Sequence, residues 1–140
     1  MSPVFDLIAA LAPGRALDLA CGKGRYANWL AERGWDVMAI DWSDEALAEV
    51  RTPAMKLDLE NDQPLPFTGA TFDLVLIIRF LHRPLFDEAE RVLKPGGVLI
   101  TWPLTTGRFG IDPRELEQRF AGWPVITRWN ASGLAVRRPG

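Results

Sequence analysis

Residues 16–24 read Ala16-Leu17-Asp18-Leu19-Ala20-Cys21-Gly22-Lys23-Gly24, and an amphipathic run, Arg25-Tyr26-Ala27-Asn28-Trp29-Leu30-Ala31-Glu32-Arg33, follows without a break. A short apolar strand over 16–20 therefore meets a turn holding two glycines, and a helix over 25–33 starts directly after it. Tyr26, Trp29 and Leu30 share one face of that helix, and Gly34 stands where a left-handed cap ends it. A strand, a glycine turn and a helix open a βαβ unit, so the stretch predicts an α/β fold built on a parallel sheet.

The pattern repeats outward. Residues 37–40 form a second buried strand ending at Asp41, and Ser43 caps the next helix, with Asp44 and Glu45 at the positive end of its dipole. Residues 55–59 read as a weaker third strand, and 60–71, with Pro64 and Pro66, as a loop. The nearly all-apolar run 72–78 suits the middle of a parallel sheet. A helix over 85–93, a turn Lys94-Pro95-Gly96-Gly97 and a fifth strand over 98–102 follow. Asp112-Pro113-Arg114-Glu115 starts a helix with a capping Asp, Pro at its first position and Glu three residues on. Residues 125–129 and 134–137 then make a hairpin around 130–133. Before the first strand, residues 3–11 form a short helix closed by Pro13-Gly14. The 140 residues read as one domain, 1–140.

Composition narrows the function. The net charge is −2 and charged residues make up 24%, with no basic stripe of the kind that neutralises phosphates, so no dedicated nucleic-acid surface is expected. The single cysteine, Cys21, forms no intrachain disulfide, and no His/Cys cluster has metal spacing, so no metal is expected and a reducing cytoplasm fits. No apolar run reaches the length of a membrane span.

Chemistry concentrates at the first turn. Glycines let a ligand approach the backbone, and the helix N-terminus behind them favours an anionic group over Gly22 and Gly24. Asp41, at the end of the neighbouring strand, is placed to accept from two ribose hydroxyls. Trp42 follows directly, and its flat ring suits the face of a purine. These features alone leave the cofactor open, since Gly22-x-Gly24-x-x-Ala27 also fits a dinucleotide fingerprint and hence a nicotinamide or flavin oxidoreductase. Against that stand Asp18, inside the strand where such folds want an apolar residue, and the lack of a following substrate domain.

Asp18-x-Ala20-x-Gly22-x-Gly24 resembles the first motif of class I S-adenosylmethionine-dependent methyltransferases, with Ala20 in place of that motif's first glycine. Leu65-Pro66-Phe67 with Thr71-Phe72-Asp73-Leu74-Val75 resembles the approach to their fourth strand. Arg91-Val92-Leu93-Lys94-Pro95-Gly96-Gly97 resembles the turn before their fifth. Cys21-Gly22-Lys23-Gly24-Arg25, Leu30-Ala31-Glu32-Arg33-Gly34 and Phe80-Leu81-His82-Arg83-Pro84-Leu85 are similar to tellurite-resistance-type and related small-molecule methyltransferases. Thr101-Trp102-Pro103 departs from the acidic stretch that those enzymes lead one to expect.

The resemblance implies a Rossmann-like three-layer sandwich whose seven-stranded, mostly parallel sheet has the order 3-2-1-4-5-7-6 and ends in an antiparallel hairpin. It implies S-adenosylmethionine as methyl donor, S-adenosylhomocysteine as product, and a small-molecule acceptor in preference to DNA, in a monomer or homodimer. Gly22 and Gly24, flanked by Ala20, receive the methionine end, with Asp18 near its amino group. Asp41 holds the ribose, Asp58 and Leu59 meet the adenine edge, and the Arg79 carbonyl meets the methionine amino group. His82, the single histidine, leaves the fourth strand at the carboxyl edge and is the candidate catalytic residue. Arg79, Arg83 and Arg108 are solvated charges or, together, a clamp for an anionic acceptor. A subunit that binds the cofactor without transferring anything is a further alternative.

Overall fold

The computed structural model describes residues 2–140. In chain order it contains α1 (Pro3–Ala9), β1 (Arg15–Leu19), α2 (Arg25–Glu32), β2 (Asp36–Asp41), α3 (Asp44–Leu47), β3 (Ala54–Lys56), β4 (Phe72–Ile78), α4 (Pro84–Val92), β5 (Leu93–Trp102), α5 (Pro113–Arg119), β6 (Val125–Trp129) and β7 (Gly133–Arg137). The sheet order is β3-β2-β1-β4-β5-β7-β6. Strands β1 to β5 run parallel, and β7 pairs antiparallel with both β5 and β6. The expected seven-stranded α/β sandwich is the one observed.

Strand alternation sorts the core into two layers. Leu17, Leu19, Val75, Ile77 and Leu99 pack with Leu85, Phe86 and Val92 of α4 and with Leu116 of α5. Ala16, Leu74, Leu76, Val98 and Ile100 pack on the opposite face with Val4 and Ile8 of α1 and with Ala27 and Leu30 of α2. Asp18, between Leu17 and Leu19, is thereby turned toward the α1/α2 side.

Three local readings are adjusted. The third strand ends at Lys56, so Leu57, Asp58 and Leu59 leave the sheet beyond it. The Lys94–Gly97 turn lies within β5: the β4–β5 register shifts between Phe72 and Leu74, and Gly96 adopts φ +80°. The capping Asp112 accepts from the Arg114 amide at 2.8 Å, but Glu115 does not close a capping box. Its carboxylate turns instead to the Arg83 guanidinium, tying the start of α5 to the start of α4.

The loop over 60–71 is held without secondary structure of its own. Arg91 donates to the carbonyls of Leu65 and Phe67 at 3.0 and 2.8 Å, and Glu88 accepts from the Leu65 amide. The Arg91 guanidinium and the Glu88 carboxylate also pair at 2.8 Å, so loop and helix form one network. At the other end of the sheet, Trp102 and Trp129 stack with centroids 5.2 Å apart and planes within 5°. Gly133 sits against that stack, and a Cβ built there would meet Trp102 ring atoms at 2.8 Å. Gly133→Ala is therefore expected to destabilise the fold by about 1–3 kcal/mol through overpacking. A urea midpoint equal to wild type would show that the stack yields freely.

Candidate functional site

The turn after β1 is bent by two residues with positive φ, Ala20 at 59° and Gly22 at 55°, before Gly24 at 88° serves as the N-cap of α2. Ala20 holds a left-handed conformation that glycine adopts freely, at a cost of about 1–2 kcal/mol. At Gly24 a Cβ would lie 3.0 Å from Val50 and 3.1 Å from Asn28, so the bare backbone is needed there.

Asp41 fixes this turn. One carboxylate oxygen accepts from the Gly22 amide at 3.2 Å and the other from the Ser43 amide at 3.0 Å. Ser43 does cap α3, accepting from Ala46 at 3.2 Å. An ionised carboxylate offers about four lone-pair sites, so Asp41 retains acceptor capacity toward a ligand. Beside it opens a cavity of about 420 Å³ lined by Ala20, Asp41, Trp42, Leu57, Asp58, Leu59, Glu60, Phe80, Arg108 and Phe109. Trp42 is 71% exposed, unusual for so large a ring. Asp58 accepts from the Glu60 amide at 2.9 Å.

Asp18 lies beneath the turn and is 2% exposed, and its Oδ2 has no hydrogen-bond partner. Burial pushes its carboxyl up to about 7, the Ala27 backbone N–H works against that rise, and the nearby Asp41 charge adds to it. The Cys21 thiol is pushed up to about 12 by burial and by both acids, which disfavours the thiolate that a nucleophile requires. An orphaned buried carboxyl, a glycine cradle and a nucleoside-sized cavity on an acid suit a ligand with a cationic amine at one end and a purine riboside at the other.

The structure thus brings Ala20, Asp41, Trp42, Asp58 and Leu59 to one cavity; Gly22 is tied to it through its bond to Asp41, and Gly24 and the buried Asp18 do not line it. Arg79 stands on the other side, with φ 59° and its amide donating to the Trp102 carbonyl at 2.8 Å. It lines a second cavity of about 380 Å³ at the carboxyl ends of β4 and β5. His82 joins neither. Its Nε2 lies 2.7 Å from Asp62 Oδ1, and it faces a smaller space of about 200 Å³ behind Leu59. The expected arginine clamp is also divided: Arg83 is engaged by Glu115 and Arg108 by Glu60 at 2.7 Å.

Sequence reasoning missed the far wall of the first cavity. Phe80 and Phe109 lie with centroids 5.0 Å apart, and Arg108 reaches across to Glu60. These contacts come from the irregular segment around 104–110, where Leu104 and Gly110 form an isolated bridge. No periodicity marks such a segment; an aromatic beside Arg108 and between two glycines was the available signal.

Fold and site together define a class I S-adenosylmethionine-dependent methyltransferase architecture. The methyltransferase-domain family model matches residues 17–101, more than half of the chain, and the chain belongs to that family. This sets aside the nicotinamide or flavin reading. An uncharacterized methyltransferase from Synechocystis sp. is 35% identical over 99 residues, covering 64% of this chain and 47% of that protein. The demethylmenaquinone methyltransferase of Renibacterium salmoninarum is 34% identical over 114 residues, covering 76% of this chain and 48% of that one. The chain spans about half the length of the curated relatives it matches. A putative type 11 methyltransferase from Sulfolobus solfataricus superposes with a TM-score of 0.74 at 23% identity, over 99% of this chain and 93% of that one, and shares the fold. Among the described residues no helix is long and apolar enough to cross a membrane, and no cluster of ligating side chains suits a metal.

Asp18 gives a pH test. The folded protein keeps a proton on Asp18 that the unfolded chain, with the ordinary value of 3.8, releases. The contribution is full below that value and is lost as pH rises through about 7. Asp18→Asn, neutral throughout, is expected to flatten the decline of the thermal midpoint between about pH 4 and 7. An equally steep decline in the variant would assign the pH dependence to other groups.

Proposed function

We propose that this chain transfers the methyl group of S-adenosylmethionine to a small-molecule acceptor. One observation carries the reading: two cavities flank the β1 turn, one on Asp41 and one at the ends of β4 and β5. Both fall in the size range of small-molecule sites. In this reading the first takes the adenosine and the second the acceptor, with the reacting atoms between them.

When bound, the cofactor supplies a methyl carbon whose bond to sulfur breaks, with its electron pair going to sulfur, as an acceptor lone pair bonds to that carbon. The protein's residues position and shield. Asp41 holds the ribose hydroxyls on the lone pairs that Gly22 and Ser43 leave free. Trp42 covers one face of the adenine, and Asp58 and Leu59 border its edge. The methionine carboxylate lies over Gly22 and Gly24 at the α2 N-terminus, whose dipole favours an anion.

Asp18, with the carbonyl of Arg79, takes the methionine ammonium. A cation there offsets the burial that raises the Asp18 carboxyl, so binding near pH 6 releases a proton. A sulfonium is already a good leaving group, and alignment accounts for most of the barrier reduction. This agrees with the absence of a paired nucleophile and base among the residues lining either cavity. His82, held by Asp62, anchors the 60–71 loop in this reading.

Tritium supplied as S-adenosyl-[methyl-³H]methionine to the protein with fractionated cell extract tests the acceptor class. Label in the low-mass fraction is expected; label confined to DNA, RNA or protein would contradict it. A sharper check falls on Asp41. Asp41→Asn is expected to lower S-adenosylhomocysteine affinity by about 1–3 kcal/mol, since charge-assisted bonds to two hydroxyls become neutral ones. Calorimetry showing unchanged affinity would leave Asp41 as a turn-holding residue alone.

A further inference from the structure

Almost every lysine and arginine is already engaged. Fourteen of the 16 cationic side chains meet a carboxylate or a backbone carbonyl. Arg25 and Arg79 are the two without such a partner among the described residues, and both line the second cavity. Both are exposed residues on the wall of that cavity. Arg25 opens α2 with its guanidinium over the Phe5 and Tyr26 rings, at 5.4 and 5.6 Å from their centroids. Arg79 is held in a left-handed conformation, disfavoured for a side chain of its size, by the bond from its amide to Trp102. Strain of this kind persists where surrounding structure enforces it, and here it turns the residue following β4 to the cavity.

Part of the remaining wall is aromatic, and Ser2, Thr105 and Ser132 add hydroxyls to it. Trp102 presents a ring braced from behind by Trp129, and Tyr26 is fixed by the contact of its hydroxyl with Ser2 at 3.0 Å. A rigid aromatic wall suits a planar body, and two unpaired guanidiniums suit an oxyanion, for which their forked donors are shaped. Resting on the two-cavity reading above, we infer that the acceptor is an aromatic carboxylate, its oxygens held by Arg25 and Arg79 and its ring against Trp102. The carboxylate is then a handle, and methylation falls on a different atom of the molecule. This assignment also explains why the cavity has two cations and no acid to quench them in a protein that is acidic overall.

Matched probes that differ in charge alone test it: indole-3-acetate and indole-3-acetamide, titrated by calorimetry into wild type saturated with S-adenosylhomocysteine. The acid is expected to bind at least about tenfold more tightly than the amide. Arg25→Gln and Arg79→Gln are each expected to lose about tenfold for the acid while binding the amide as wild type does, and Arg79→Lys to recover part of the loss. Equal binding of acid and amide to wild type, or binding of neither, would overturn the assignment. So would a fall in S-adenosylhomocysteine affinity in either glutamine variant with the acid preference retained, because the arginines would then hold the donor's own carboxylate. Failure of wild type to bind S-adenosylhomocysteine strikes the cofactor reading instead. Discrimination between acid and amide, measured on the unloaded protein, still decides the arginine pair.

Discussion

The Asp41 carboxylate joins two segments that the chain would otherwise leave apart. By accepting from the Gly22 amide and the Ser43 amide at once, it locks the loop leaving β1 to the start of α3. Gly22 is then presented with positive φ, Gly24 caps α2, and Ala20 accepts its left-handed geometry because both ends of the turn are fixed. A carboxylate already bonded to backbone on both oxygens is also preorganised, so little ordering remains when a ligand arrives.

The electrostatics follow from the same placement. Burial raises the Asp18 carboxyl, and the nearby Asp41 charge adds to that rise. An orphaned, buried carboxyl is costly unless a ligand completes it. In the proposed reading an ammonium does so, and the arrangement stores a preference for a cationic ligand end beneath the turn. Beyond β4 the sign reverses: Arg25 and Arg79 face the second cavity without counter-charges. The donor's cationic end and the acceptor's anionic end are thus assigned to opposite sides of the reacting atoms, which orients both molecules before they meet.

Much of this was legible from residue pattern. Strand alternation, the glycine turn, Ser43, Gly34 and the Pro113 start each depend on nearby residues, and each was found where local chemistry put it. The strand order needed family resemblance, since no local pattern states which strand lies beside which. What escaped was non-local. Glu115 bonds to Arg83 across 32 positions, Arg108 to Glu60 across 48, and His82 to Asp62 across 20. Chain periodicity carries no record of such partners, so a clamp of Arg79, Arg83 and Arg108 was a fair expectation that pairing divided. Arg25 reads as an ordinary first residue of a helix, and only the cavity it shares with Arg79 sets it apart.

The proposed donor and acceptor placements both depend on one nucleoside position, over Asp41 and beside Trp42. A crystal structure of the protein soaked with S-adenosylhomocysteine tests it most directly. Both ribose hydroxyls are expected within hydrogen-bond distance of Asp41, the adenine against Trp42, and the ammonium next to Asp18. Density for the nucleoside in any other cavity, with Asp41 bonded only to Gly22 and Ser43, would contradict it.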